Sequence, residues 1–204
     1  AVAIALPVGV LSAYTRGSWF DQGALSAAML LASIPSFWLG LIFQQRLTGG
    51  GILPVSGFGG PGTGFFEHLR YLVLPSLVLG LVNSALIIRF SRASMLDVLS
   101  DDYVRTARAK GMSEWRVVLG HAFKNALIPI ITVVGLTFAL LISGAVVTER
   151  VFNLPGVGSL VVGAVLRRDY PLIQGALIVV AALYILVNFA IDMIYLLVDP
   201  RVRY

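Results

Sequence analysis

Charged side chains are scarce in this sequence and cysteine is absent. Asp, Glu, Lys and Arg make up 12% of its 204 residues, about half the share of a soluble domain. Hydrophobic residues make up 58%, and the mean hydropathy is +0.90. Too little charge to coat a water-facing surface excludes a soluble enzyme, a disordered chain and a collagen-like fibre. The lack of cysteine excludes disulfides, thiolate metal sites and thiol catalysis. Two histidines, His68 and His121, stand too far apart for a zinc site built on histidine pairs. No G-x-x-x-x-G-K-[ST] phosphate loop is present and no nucleophile–base set stands out. The chain opens at Ala1 inside an apolar stretch with no basic n-region or cleavage site. The expectation is a chain lacking its natural N-terminus, not a signal peptide.

Long uncharged runs are what the sequence has in abundance. A membrane helix needs about 20 apolar residues to cross about 30 Å of hydrocarbon. Four runs qualify, at 23–43, 71–88, 126–148 and 171–198, the last interrupted by Asp192. A fifth, 1–13, has the length of a cut span. None alternates as a barrel strand would. The fold class expected is all-α, a polytopic transmembrane bundle of about five spans forming a single domain over 1–204, with a polar loop at 89–125.

The net charge of +5 and pI of about 9.9 fit nucleic acid, a membrane surface or a positive-inside bias. The distribution favours the last. Five spans divide the polar segments into two sets. One set holds Arg16, Arg89, Arg92, Arg105, Arg108, Lys110, Arg116, Lys124, Arg201 and Arg203, ten of the fifteen basic residues. The other holds Arg46, Arg70, Arg150, Arg167 and Arg168. The first set is therefore assigned to the cytoplasm, together with the C-terminus, in a multi-pass protein of the plasma (inner) membrane. No nucleic-acid partner is expected. The outer segment 49–64 carries Gly49, Gly50, Gly51, Gly57, Gly59, Gly60, Gly62 and Gly64 with Pro54 and Pro61, so regular helix is excluded there. The outer segment 151–166 is broken by Pro155, Gly156 and Gly158, and predicts a short surface or re-entrant helix.

The loop 89–125 is the most organised polar stretch. Ser100, Asp101 and Asp102 are N-cap and first-turn residues for a short helix through Tyr103, Val104, Ala107 and Arg108. Gly111 is placed to end it. Ser113 then caps a second helix with Glu114 in its first turn. Apolar residues at 115, 118, 119, 122, 123, 126 and 127 make one continuous α-helical face running into a span. Such a hairpin is either an amphipathic connector on the anionic inner leaflet or a rigid element that docks in a partner's groove.

The residues here resemble a known family. Tyr103-Val-Arg-Thr-Ala-Arg-Ala-Lys-Gly111 and His121-Ala-Phe-Lys-Asn125-Ala-Leu-Ile-Pro129 are similar to the "EAA" loop of ABC-transporter permeases, in its dipeptide, oligopeptide and nickel variant. Ser33-Ile-Pro-Ser-Phe37, Leu53-Pro-Val-Ser-Gly57, Glu149-Arg-Val-Phe-Asn-Leu-Pro-Gly-Val-Gly158, Arg168-Asp-Tyr-Pro171 and Asp199-Pro-Arg-Val-Arg-Tyr204 follow the same pattern, in order, over nearly the whole chain. The general motif's leading Glu is replaced by Arg105, as in the peptide-type variant. The family's additional N-terminal span and extracytoplasmic segment are not in this sequence.

The resemblance implies the transmembrane subunit of a binding-protein-dependent importer for a dipeptide, an oligopeptide, nickel or glutathione. It implies no enzyme activity and no cofactor held by this chain, with ATP and Mg on partner ATPase subunits. The implied partners are two such ATPases, a second homologous or identical permease subunit, an extracytoplasmic substrate-binding protein and membrane lipid. Tyr103, Arg105, Thr106, Ala107, Arg108, Ala109, Lys110, Gly111, Met112 and Trp115 are the expected ATPase-docking residues, with Tyr103, Ala107, Gly111, Met112 and Trp115 packing inside the cleft or against the second helix. Arg105, Arg108 and Lys110 would complement an acidic cleft rim, against the alternative of lipid headgroups. Glu149, Phe152, Pro155, Gly156 and Gly158 are the expected outer vestibule, against a plain turn. Asn83, Ser84, Thr137 and Ser143 are polar mid-span residues for a translocation path or for helix packing. Asp192 would carry the alternative reading as an ion-coupled secondary transporter, or bond Asn188 one turn away. A membrane scaffold without transport is the third reading.

Overall fold

A computed structural model describes residues 1–47, 53–60, 62 and 64–198. Gly49, Gly50, Gly51, Pro61, Arg201, Arg203 and the 199–204 motif lie outside the described residues. Among those described there is no strand. The helices are α1 (Val2–Tyr14), α2 (Trp19–Ser33), α3 (Ser36–Leu47), α4 (Phe65–Leu99), α5 (Asp102–Ala109), α6 (Phe123–Val151), α7 (Val157–Arg167) and α8 (Tyr170–Val198). A π-helical stretch, Arg116–Ala122, leads without a break into α6.

Three expected boundaries change, each for a local reason. The run 23–43 is not one helix. It breaks at Ile34–Pro35, where α2 and α3 form a pair bent by 100°. Proline disfavours helical backbone at the residue before it and has no N–H to continue the ladder. The loop 89–125 is shorter than expected, because α4 continues through Arg89 to Leu99. No Gly or Pro interrupts that stretch, and Met95, four residues after the buried Ser91, is fully buried. Among the described residues, three helices are long and apolar enough to cross a membrane, or four with the bent pair, against five expected spans, and α1 has 13 residues. The short helix expected in 151–166 is α7.

The chain divides into two compact units. The first comprises 1–32, 83–138 and 187–204. Ala5, Ala28, Ala85, Ile87, Ile88 and Val133 form one of its apolar clusters, and Ala13, Met95, Val118, Ala122, Ala126 and Ile130 another. α1 meets α4 backbone to backbone at Gly9. A Cβ built there would stand 2.7 Å from Ser91 Cβ and 3.0 Å from the Ile88 carbonyl oxygen. The second unit comprises 33–82 and 139–186. Leu39, Leu74, Val78 and Phe152 are its buried cluster. Gly40 lets α3 approach Phe152, and Gly144 lets α6 approach Leu79.

Gly9→Ala is therefore expected to lower stability by about 1–3 kcal/mol through overpacking. Gly23→Ala, with nothing within 4 Å of the added carbon, should be neutral or slightly stabilising. Thermal unfolding of both variants in detergent checks the contrast.

Candidate functional site

The hairpin after α4 folds into a compact knob. Asp101 is the N-cap of α5, whose eight residues are too few to persist alone. α5 ends in a Schellman motif. Gly111 N–H donates to the Arg108 carbonyl at 2.9 Å and Met112 N–H to the Ala107 carbonyl at 3.3 Å. Gly111 occupies the left-handed position at φ +76°, which a residue with a Cβ adopts only at a cost.

Three ties hold α5 against the following helix. Val104, Ala107 and Val117 are buried together, with Leu99 and Met112 packed on them. Arg108 donates from Nε to Glu114 Oε1 at 2.9 Å and from Nη2 to Oε2 at 3.3 Å, closing the Gly111 corner. Asn125 Nδ2 donates to Tyr103 Oη at 2.8 Å and to the His121 carbonyl at 3.1 Å.

The expected face largely holds: Val118, Ala122 and Ala126 are buried, and Trp115, 73% exposed, borders the same groove as Val118, Leu119 and Phe123. The π-helical stretch adds Val117, off that face and fully buried. A π turn accommodates an extra residue, which shifts the register so that Val117 faces α5. For two of the expected docking residues, packing against the second helix is the alternative that fits. Ala107 is buried and Met112 half-buried within the knob's own core. Tyr103, Arg105, Thr106, Arg108, Ala109, Lys110, Gly111 and Trp115 remain exposed. Trp115 and Glu114 also border an apolar groove of about 540 Å³ with Leu6, Val10, Tyr14 and Phe123.

The turn between α6 and α7 is equally ordered. α6 ends with Asn153 in the left-handed region at φ 51° and Leu154 N–H donating to the Glu149 carbonyl at 2.8 Å. The Glu149 carboxylate accepts the Ser159 N–H at 2.6 Å, at the N-terminus of α7, where a negative charge is favoured. A Cβ at Gly156 would displace the end of the Glu149 side chain, whereas one at Gly158 would lie 2.7 Å from the Val146 Cα, where backbone would have to move. The 53–57 loop docks on the same turn. Gly57 N–H donates to the Phe152 carbonyl at 2.8 Å, and Gln44 Nε2 donates to the Val55 and Val151 carbonyls, both at 2.9 Å. Phe152 itself is buried with Leu39 and Leu74. It is a core residue and not a lining one, whereas Pro155 is exposed and Glu149 partly so.

The mid-span polar residues separate. Ser84 and Thr137 are each 1% exposed, and Thr137 Oγ1 donates to the Val133 carbonyl at 2.7 Å. Burial makes them packing residues, not the walls of a path. Asn83 is half-buried and Ser143 exposed. Asp192 is exposed on α8.

One polar cluster gave no sequence signal. Asp21, 2% exposed, accepts from Arg92 Nε to Oδ1 at 2.6 Å and from Nη2 to Oδ2 at 2.8 Å. The Gly17 N–H reaches Oδ2 at 2.9 Å, and Ser12 Oγ donates to Oδ1. The partners are 71 residues apart in sequence. Only the Ser18–Asp21 spacing of a helix start was legible beforehand.

Residues 5–204 match the family of binding-protein-dependent transport system inner membrane components. The chain belongs to that family. It is thus a multi-pass inner membrane component of a binding-protein-dependent transport system. Among its relatives is the dipeptide transport system permease protein DppB of Escherichia coli (strain K12), 40% identical over 229 residues, covering 100% of this chain and 67% of the relative. The di/tripeptide transport system permease protein DppB of Pseudomonas aeruginosa (strain UCBPP-PA14) is 44% identical over 220 residues, covering 98% of this chain and 66% of the relative. The chain thus spans about two thirds of these relatives' length. A structure of the inward-facing MetNI methionine ABC transporter shares the fold, with a TM-score of 0.75 at 20% identity over 97% of this chain and 87% of that one.

In this family member, Glu149→Ala leaves the Ser159 N–H without its acceptor at the α7 start. The expected loss is about 1–3 kcal/mol, read as a lower unfolding temperature in detergent, with Glu149→Gln falling between the variant and the unaltered protein.

Proposed function

We propose that this chain is one transmembrane subunit of an ATP-driven importer for dipeptides or oligopeptides, or a related small solute such as nickel or glutathione. The observation that carries the reading is the knob. Its core and the Arg108–Glu114 salt bridge hold its shape, and it presents an exposed charged face on which Arg105, Arg108 and Lys110 stand beside Asp101, Asp102 and Glu114. Relatives named as dipeptide and di/tripeptide permeases support peptides as the cargo class.

In this reading the exposed face of α5, with Tyr103, Arg105, Thr106, Arg108, Ala109 and Lys110, seats in a cleft of an ATPase subunit. Gly111 shapes the corner and Trp115 borders the contact. Ala107 and Met112 serve from within by holding α5 in place. Two ATPases, a second permease subunit and an extracytoplasmic binding protein complete the complex. ATP and Mg act on the ATPases, and this chain supplies no catalytic group. The C-terminus faces the cytoplasm, consistent with the charge asymmetry.

ATP draws the ATPases together because the closed state binds it better. The knob follows its cleft. Two residues separate the end of α4 from the start of α5, and the π-helical stretch passes directly into α6. Motion of the knob therefore turns both helices, and the pore between two permease subunits alternates its exposure. Pro155, Gly156, Gly158 and Glu149 contribute a preshaped surface to the outer vestibule, and Asn83 and Ser143 are the remaining candidates for the path.

Gly111→Val tests the reading. Its Cβ meets no atom within 4 Å, so the substitution strains only the backbone. In proteoliposomes holding the complete complex, import should fall about tenfold or more while ATP hydrolysis continues. Unchanged import per ATP, at normal membrane levels of the variant, would count against docking through this corner.

A further inference from the structure

The Asp21–Arg92 pair is built more closely than a bond between two helices needs for stability alone. Both carboxylate oxygens are engaged by the guanidinium fork, and two further donors, Ser12 Oγ and Gly17 N–H, complete the shell. Ser18 Oγ accepts the Asp21 N–H at 3.2 Å, fixing the start of α2 in the same place. The side chains are 3% and 21% exposed. Burying two charges contributes little net stability compared with apolar packing, but it demands one geometry, and breaking one side leaves an unpaired buried charge. An arginine fork adds directional specificity that a lysine lacks.

The pair occupies a particular place. Arg92 lies about two turns before Leu99 on α4, and Leu99 packs into the core of the knob. Asp21 belongs to α2, and Ser12 to the end of α1. The Gly9–Ser91 contact brings α1 against α4 one residue before Arg92. These links from the knob to α1 and α2 all lie within the first compact unit.

We propose that Asp21 and Arg92 are positioning residues for energy coupling: their ion pair locks α1 and the start of α2 to the end of α4, so that these helices move with the docking knob as one body. The inference rests on the importer reading for its function, but the rigidity it asserts can be measured separately. Without the lock, knob motion would be spent on sliding α4 past α1 and α2.

This sequence contains no cysteine, so a cysteine pair at the exposed positions Gln22 and Ala93, spin-labelled on this subunit before the complex is assembled, reports the distance between α2 and α4. In the complete complex, the interspin distance should be single, narrow and the same with and without ATP. Asp21→Asn and Arg92→Lys should both broaden it. In proteoliposomes both should lower substrate imported per ATP hydrolysed about tenfold, within the range of coupling free energies between sites, at membrane levels matched to the unaltered chain. Arg92→Lys retains the positive charge and guards against a variant that fails to fold. A distance that changes with ATP in the unaltered pair, variants that keep the narrow distance, or import and hydrolysis lost in equal proportion would each overturn the proposal. A complex that hydrolyses ATP and never imports would sink the importer reading, while the distance comparison would still decide the lock.

Discussion

Val117 is buried against Val104 and Ala107, and the shape of the hairpin depends on that contact. α5 is too short to hold itself together. Its amphipathic sequence gives it an inward edge of two small apolar residues and an outward face of Tyr103, Arg105, Thr106, Arg108, Ala109 and Lys110. Only when the inward edge is covered does the outward face acquire a fixed form. The π-helical stretch supplies the cover, the Schellman turn at Gly111 supplies the angle, and Arg108 with Glu114 closes the corner. Surface ion pairs contribute under about 1 kcal/mol, so the apolar contact is the greater share and the ion pair refines it.

The same economy governs the turn between α6 and α7. A reversal of direction leaves carbonyls at one helix end and N–H groups at the next. Asn153 in the left-handed region, Glu149 reaching forward to Ser159, and Gly57 and Gln44 reaching over from the neighbouring segment satisfy them. Gly158 lets the start of α7 approach the backbone of α6 at Val146, and Gly156 leaves room for the Glu149 carboxylate. Rigid corners outside the apolar runs thus recur at two separate places in the chain.

Much of this was legible beforehand. Long uncharged runs fixed the helical membrane class, and the Ser-Asp-Asp start and Gly111 end located α5 to within a residue. Pro155, Gly156 and Gly158 marked the break before α7. What escaped was of two kinds. The π-helical register is invisible to a period-3.6 reading, so Val117, off the expected apolar face, gave no signal of its burial against α5. Long-range pairing leaves no local trace: Asp21 and Arg92 read as ordinary charges at the ends of apolar runs, and Phe152 as part of a turn motif. Ser84 and Thr137 look like path residues in sequence because polarity within a span suggests function, whereas a back-bonded threonine satisfies its hydroxyl inside its own helix. The break at Pro35 lies inside an uncharged run that reads as one span, because apolar composition continues across it.

The account stands on the claim that the outward face of α5, and not its inward edge, meets a nucleotide-driven partner. The most direct measurement places a photo-crosslinking residue at Ala109, or separately at Val104, in the assembled and active complex. The expected result is an ATPase adduct from Ala109 and none from Val104. An active complex in which Ala109 crosslinks only to lipid, or in which both positions reach the ATPase equally, would contradict it.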